Sequence, residues 1–434
     1  MTLIKTSVLS FIATLFKILN GLILNKLVAV YVGPSGVALL GQFQNFLASL
    51  NIISTAGFAQ GLTKYLSEFI DDTEQCAAVF STAIKLISLL LLPISIIVYF
   101  NSSAISETVL GNKDYELWIK GLSISLIPAT FSALIIAALN GLHEVKKLTL
   151  ATILSNTFGM ILSLSLIPSI GAGGALAVLL LMPVFSLAVS STLLFRHKNF
   201  SSYWLKPKIA NENIKRLGKF TLMAVASAIS VPVSHMLIRT YIGDNISDDA
   251  AGLWTGLWRI SEAYLLVITM TLTVYYLPKL SNLKKTDEIK SEIAKGQKII
   301  LPLVLVSAVL LYILRDFVIL ILFDNKFLPI SEIMLYQLIG DVLKISTWLY
   351  TYIILAKAQV KIFVATEIFF SFLFVLLSIY FINNEGLIGV TYAFSINYFI
   401  AFVFFYTWFV RSCKRGVFET NEPEKTSISQ NNNA

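Results

Sequence analysis

Two lysines lie within the first apolar segment of the chain, where a charged side chain is costly. Lys17 falls near the middle of residues 8–32, and Lys26 lies further along the same segment. A cation at the centre of a membrane-spanning helix costs about 2.5–3.5 kcal/mol even on a lenient insertion scale. Polar residues recur here every three or four positions, so they share one helical face: Ser10, Thr14, Lys17, Gly21 and Asn25. We therefore expect this face to contact a surface more polar than lipid.

Charged residues also occur inside later apolar segments. Arg259 and Glu262 are three positions apart, so the two side chains can meet on one helix surface. Asp341 and Lys344 repeat this spacing, and Glu367 lies in a further segment. A self-neutralising pair that faces the helix bundle and a group that lines a polar cavity both fit this pattern. The sequence leaves both interpretations open.

If the two pairs neutralise themselves, an excess of positive charge remains in the apolar segments. It comes from Lys17, Lys26 and Arg239. Lys64 lies just beyond the second segment, and Glu367 is the remaining carboxylate. Such an excess suits an anionic ligand such as a phosphate or pyrophosphate group, because a low dielectric strengthens charge pairing. Two alternatives stay open: Arg239 can extend to the membrane surface, and polar helix faces can simply join helices.

The composition excludes a soluble globular protein. The 434 residues are 56% hydrophobic and 13% charged, with a mean hydropathy of +0.78, whereas ordinary soluble domains are about 25% charged. We predict an all-α polytopic membrane protein. Two distant cysteines and three histidines without ligand spacing predict no disulfide framework and no metal site. No nucleotide-binding, nucleophile or kinase motif occurs, so we expect a transporter without catalytic residues or cofactors.

Hydropathy predicts twelve membrane spans, at residues 8–32, 37–57, 80–100, 117–139, 147–167, 174–195, 219–241, 252–276, 298–322, 331–354, 361–382 and 387–409. Basic residues concentrate in alternate loops, and the opposite loops keep only Lys113 and Lys326. Because cytoplasmic loops carry the excess of lysine and arginine, we predict that both termini are cytoplasmic. The net charge of +8 is then explained by these loops, without a nucleic-acid partner.

An internal repeat divides the chain into two halves. Val145-Lys146 resembles Val360-Lys361, which follows 215 residues later, and Gly36 at the start of the second span resembles Gly252 at the start of the eighth. We predict a six-helix unit at residues 1–200, a second at 201–415, and a disordered cytoplasmic tail at 416–434. Parallel repeats of this kind are typical of transporters that bind substrate between their halves.

Several stretches also resemble a known family: Lys17 to Leu27, Gly33-Pro34-Ser35-Gly36, Ser261-Glu262-Ala263-Tyr264-Leu265 and Gly340-Asp341-Val342-Leu343-Lys344. Over residues 1–411 the chain resembles the Wzx-type flippases of the multidrug/oligosaccharidyl-lipid/polysaccharide (MOP) exporter superfamily. That group includes the flippases for enterobacterial common antigen and for O-antigen. The likeness is collinear along the chain, so it does not depend on one short motif.

The resemblance implies a fold like that of the MATE exporters of the same superfamily, with two six-helix bundles around a V-shaped central cavity. The cavity would move an undecaprenyl-pyrophosphate-linked oligosaccharide from the cytoplasmic to the periplasmic leaflet of the bacterial inner membrane by alternating access. Other implied partners are inner-membrane lipids and a polymerase and chain-length regulator of the same glycan pathway. The cavity candidates are Lys17, Lys26, Lys64, Arg239, Arg259, Glu262, Asp341, Lys344 and Glu367.

Two other functions are compatible with a polytopic chain. A cation-coupled multidrug exporter of the same fold would carry acids and aromatic residues in its cavity and few lysines, so the predicted excess of positive charge counts against it. A glycan polymerase or ligase would carry a large periplasmic loop, and the predicted periplasmic connections are short.

Overall fold

The computed structural model describes residues 3–55, 57–196, 211–272, 276, 279–280, 283, 285–357 and 359–415. The first half contains α1 (Leu3–Tyr31), α2 (Pro34–Thr55), α3 (Phe58–Glu68), α4 (Thr73–Phe100), α5 (Ser102–Leu110), α6 (Glu116–Gly141) and α7 (Val145–Phe195). The second half contains α8 (Asn211–Asn245), α9 (Asp248–Thr271), α10 (Thr286–Ile313), α11 (Arg315–Leu322), α12 (Ile330–Ala356), α13 (Val360–Glu385) and α14 (Ile388–Lys414).

The elements bounded above are helices, which confirms the predicted all-α membrane fold class. Within the described residues, nine helices are long and apolar enough to cross a membrane. One of them, α7, contains both predicted spans 147–167 and 174–195. The predicted spans 219–241 and 252–276 correspond to α8 and α9. A count of twelve crossings stays a prediction, as do the domain boundaries at residues 200 and 415. The tail at 416–434 lies outside the described residues.

The two halves repeat the same order of long and short helices. A long helix, a short helix, a 3₁₀ turn and another long helix follow one another as α4, α5, Lys113–Tyr115 and α6. The same order recurs as α10, α11, Asn325–Phe327 and α12. Helix α4 begins at Thr73 and α10 begins at Thr286, 213 residues later. The offset agrees with the internal repeat found in the sequence.

Glycine makes the sharp junction between the last two long helical segments of each half. Gly171 interrupts α7 with φ 56° and ψ −128°, and Gly386 joins α13 to α14 with φ 67° and ψ −145°. Only glycine adopts these angles without steric strain. Three residues later the chain turns back on itself. A Cβ at Gly174 would lie 2.3 Å from the Leu166 carbonyl oxygen, and a Cβ at Gly389 would lie 2.2 Å from that of Phe381.

We expect Gly386→Ala to lower the midpoint of thermal unfolding of the purified protein in detergent. A backbone conformation reserved for glycine costs about 1–3 kcal/mol when another residue adopts it. Gly21→Ala is the matched control, because a Cβ at Gly21 meets nothing within 4 Å. Equal unfolding temperatures for wild type and Gly386→Ala would show that the junction does not depend on glycine.

Candidate functional site

The two halves are joined at the end of the helix bundle that contains the turn between α1 and α2, which we call the closed end. Here the start of α2 packs directly on the start of α9. The Ser35 backbone N–H donates to Asp249 Oδ1 at 3.0 Å. A Cβ at Gly252 would lie 1.9 Å from the Pro34 carbonyl oxygen, so this glycine permits the two backbones to touch. A hydrophobic core at this end contains residues of both halves, such as Val37 and Phe327.

Arg239 lies within this interface and is only 4% exposed. Its Nη1 donates to Gln42 Oε1 of α2 at 2.9 Å, and its Nε donates to Thr255 Oγ1 of α9 at 2.8 Å. The guanidinium also lies 5.6 Å from the ring centroid of Trp254. The structure therefore places Arg239 among fixed partners between the halves. It does not extend to the membrane surface.

Lys26 makes an equivalent contact in the opposite direction. From α1 its ammonium donates to the carbonyl oxygens of Leu320, at 2.9 Å, and of Phe323. These carbonyls belong to the C-terminal end of α11, where a helix has unsatisfied acceptors and partial negative charge. Arg239 follows Lys26 by 213 residues, which is the offset between α4 and α10. Lys26 and Arg239 thus occupy equivalent positions of the repeat, and each binds the opposite half at the same end.

A cavity of about 760 Å³ lies inside the second half. Its wall comes from α8, α9, α12, α13 and α14, with Asn45 of α2 as the contribution of the first half. Three of the predicted site residues line it: Glu262, Lys344 and Glu367. The volume lies in the range of small-molecule binding sites. The sequence predicted a cavity between the halves, whereas this cavity belongs mainly to one of them.

Arg259 and Glu262 form the predicted pair. Arg259 Nη1 lies 3.0 Å from Glu262 Oε2, and the other end of the guanidinium donates to Gln44 Oε1 of α2. The indole N–H of Trp258 donates to Glu262 Oε1 at 3.0 Å. Glu262 is therefore part of the cavity wall, but Arg259 neutralises its charge and both of its carboxylate oxygens already accept hydrogen bonds.

Asp341 and Lys344 have different nearest partners, so they do not form the close ion pair that their spacing allows. Asp341 is fully buried, and the Tyr264 hydroxyl of α9 donates to its Oδ2 at 3.0 Å. The Lys344 ammonium lies 5.0 Å from the ring centroid of Trp258 and 5.1 Å from that of Trp348. The cause is the neighbouring residues, because Tyr264 of α9 holds the Asp341 carboxylate within the helix packing, whereas the two indoles hold the Lys344 ammonium at the cavity.

The charged side chains lining this cavity do not carry an excess of positive charge. Glu262 is paired with Arg259. The positive charge of Lys344 and the negative charge of Glu367 then sum to zero. A cationic cavity between the halves therefore stays a prediction, and it depends on residues that do not line the second-half cavity. Of these, Lys17 is exposed on α1, and the side chain of Lys64 lies outside the described residues.

Sequence reasoning omitted the aromatic residues of the cavity wall from the site. Trp258 lies four residues before Glu262, and Trp348 lies four residues after Lys344, so each indole stacks over the same helical face as a charged group. That spacing is a signal the sequence did contain. His235 also lines the cavity, and it packs against the rings of Trp254, Trp258 and Phe374.

The sequence profile of a family described as polysaccharide biosynthesis proteins matches residues 3–284. The chain is also 29% identical over 402 residues to a protein of Escherichia coli (strain K12) named Lipid III flippase, an alignment that covers 93% of this chain and 97% of the relative. A Shigella flexneri protein of the same name gives the same values.

Solved structures of transporters share the fold. The inward-facing form of a multidrug resistance MATE family transporter of the MOP superfamily superposes with a TM-score of 0.78, at 16% identity, over 93% of this chain and 95% of the other. A MOP superfamily transporter from Pyrococcus furiosus, described as having a binding pocket of reversed polarity, gives 0.70 at 16% identity over 95% and 96%. The outward-facing form of a multidrug resistance MATE family transporter gives 0.69 at 16% identity, also over 95% and 96%.

We expect Lys26→Met and Arg239→Met each to increase opening of the closed end. The reporter is the thiol introduced by Val37→Cys, at a fully buried interface position, after Cys76→Ala and Cys413→Ala. Loss of the hydrogen bonds of a charged group should make opening of this end easier. Maleimide labelling of the thiol in nanodiscs should therefore be about tenfold faster.

Lys113→Met is the matched control, because Lys113 forms only an exposed ion pair with Glu107 at 3.4 Å. Unchanged labelling in both Lys26→Met and Arg239→Met would mean that these cations do not hold the halves together.

Proposed function

Because the chain belongs to the family of polysaccharide biosynthesis proteins, we propose that it flips an undecaprenyl-pyrophosphate-linked oligosaccharide across the bacterial inner membrane. The resemblance to flippases of the MOP superfamily is confirmed, and the chain is a multi-pass membrane transporter. The observation that carries the proposed substrate is the match to Lipid III flippases, which extends over 93% of the chain. The lipid-linked sugar would be a repeat unit of common antigen or O-antigen, and it would move from the cytoplasmic to the periplasmic leaflet.

Alternating access accounts for the position of the contacts between the halves. With a cytoplasmic N-terminus, as the basic loops predict, the closed end is periplasmic. The hydrogen bonds of Lys26, Ser35 and Arg239 then hold the periplasmic end shut. The better superposition on an inward-facing form than on an outward-facing form, with TM-scores of 0.78 and 0.69, supports the same conformation.

Lys17 is the cation we assign to the anionic head group. Helical geometry places it about 160° around α1 from Leu15 and Leu19, two leucines that are 42% and 40% exposed. It lies within about 60° of Asn20 and Leu24, which are buried against neighbouring helices. The exposed Lys17 side chain therefore lies on the opposite side of α1 from the exposed leucines. It lies beside Gly21, where a Cβ would meet nothing within 4 Å. An exposed ammonium with open space beside it suits a pyrophosphate.

A specific observation favours a second candidate, a cation-coupled multidrug exporter. The second-half cavity contains the carboxylates of Glu262 and Glu367 and the aromatic rings of Trp258 and Trp348. Acids and aromatic rings are the groups that an organic cation binds. Extrusion of ethidium from proteoliposomes, without flipping of a lipid-linked oligosaccharide, would favour this candidate.

We expect Lys17→Ala to reduce flipping more than about tenfold, because it removes the charge that binds the pyrophosphate. The measurement uses proteoliposomes that contain a fluorophore-labelled undecaprenyl-pyrophosphate-linked oligosaccharide. Dithionite then quenches only the label in the outer leaflet. Lys17→Arg should retain part of the rate, whereas Lys17→Gln should not.

The matched control is Lys85→Ala, which removes another exposed lysine from a long apolar helix of the first half. It should flip at the wild-type rate. If Lys17→Gln flips as fast as Lys17→Arg, the charge of Lys17 is not what binds the substrate.

A further inference from the structure

We infer that the second-half cavity binds the saccharide of the lipid-linked substrate, by ring stacking and hydrogen bonds, while the pyrophosphate lies outside it. The inference rests on the proposed flippase function and divides the substrate between the two halves. Its basis is the chemistry of the cavity wall, which combines balanced charge, partly exposed aromatic rings and two amide side chains that each have one unpaired atom.

The charges of the cavity are unfavourable for a pyrophosphate. Two carboxylates, Glu262 and Glu367, face a single ammonium, that of Lys344. Arg259 is the nearest compensating cation, and it is already bound to Glu262 and Gln44. A multiply charged anion placed here would meet at least as much negative as positive charge in a low-dielectric site, where repulsion is strong. A neutral polyhydroxylated ligand meets no such cost.

Aromatic side chains give the cavity surfaces on which a sugar ring can stack. Trp258 and Trp348 line it and remain partly exposed, and Tyr398 of α14 lines it as well. Indole and phenol rings offer a broad apolar face beside a polar group. A pyranose offers the complement, with C–H bonds on its faces and hydroxyls around its edge.

Polar side chains in the cavity wall supply the hydrogen bonds. Among the described residues, Asn45 Nδ2 and Asn397 Oδ1 are buried atoms without a hydrogen-bond partner, and both side chains line the cavity. One is a donor and the other is an acceptor. A buried polar atom is expected to have a partner, and a small rotation of either amide would bring it to a sugar hydroxyl, which can both donate and accept. The Glu367 carboxylate can in addition accept from two neighbouring hydroxyls.

Because of Lys344, an organic cation fits the second-half cavity less well than a sugar does. Its ammonium already lies about 5 Å from the ring centroids of Trp258 and Trp348, so a second cation would compete for these rings and be repelled. The same ammonium can donate hydrogen bonds to sugar oxygens without loss of its contacts with the rings.

The test compares two lipids that differ only in the saccharide: lipid III and undecaprenyl pyrophosphate, both radiolabelled. Equilibrium binding is measured on the full-length protein in nanodiscs. We expect Glu367→Gln and Trp348→Leu each to weaken lipid III binding about tenfold and to leave undecaprenyl pyrophosphate binding within about twofold of wild type. Glu385→Gln, an exposed glutamate at the end of the same helix α13, is the matched control and should change neither. Lys17→Gln should weaken both.

Each other outcome overturns the inference. Equal weakening of both lipids by Glu367→Gln would place the pyrophosphate in the cavity, and unchanged binding of both would place the saccharide elsewhere. Equal affinity of the wild-type protein for the two lipids would mean that it does not recognise the saccharide. If Trp348→Leu does not fold, Glu367→Gln decides alone, because it changes one atom. A wild-type protein that binds neither lipid but extrudes ethidium would refute the proposed flippase function itself.

Discussion

The structure depends on how it accommodates charge inside an apolar bundle. Each cation near the membrane interior needs acceptors, a counter-ion or water, because an uncompensated charge there costs kilocalories. Lys26 and Arg239 meet this need by reaching across to the opposite half, where they bind helix-end carbonyls and the Gln42 amide. Their desolvation is thus coupled to the closure of one end. If the halves moved apart, both cations would lose these hydrogen bonds. The bonds therefore stabilise the conformation in which this end is closed.

The same repeated framework carries different chemistry in its two halves. The glycine junctions at Gly171 and Gly386 and the short helix with a 3₁₀ turn recur in both halves. The charged residues of the second-half cavity have no charged counterparts at the repeat offset in the first half. In the second half Glu262, Lys344 and Glu367 face an aromatic cavity, while the first half presents Lys17 on a helix face with open space beside it. A substrate with an anionic group and a neutral glycan suits this asymmetry.

Helical periodicity and residue chemistry predicted much of this arrangement. Apolar length indicated the helices, and the gaps between predicted spans indicated where helices meet. The three-residue spacing of Arg259 and Glu262 allowed an ion pair, which the structure contains. The same spacing failed for Asp341 and Lys344. Spacing along a helix says which groups can meet, whereas the neighbouring helix decides whether they do. Tyr264 of α9 binds Asp341, and two indoles surround Lys344.

The sequence by itself determined the class of the protein, because membrane insertion depends on the apolar length and local charge of each segment. It also determined the repeat and its offset, since these are properties of residue order. Only the tertiary structure decided which charges bind, which lie exposed and which hold the halves together. Lys26 and Lys17 look alike in sequence, and they differ because one lies against the C-terminal carbonyls of α11 and the other beside open space at Gly21. Contacts between residues about 300 positions apart leave no trace in local spacing.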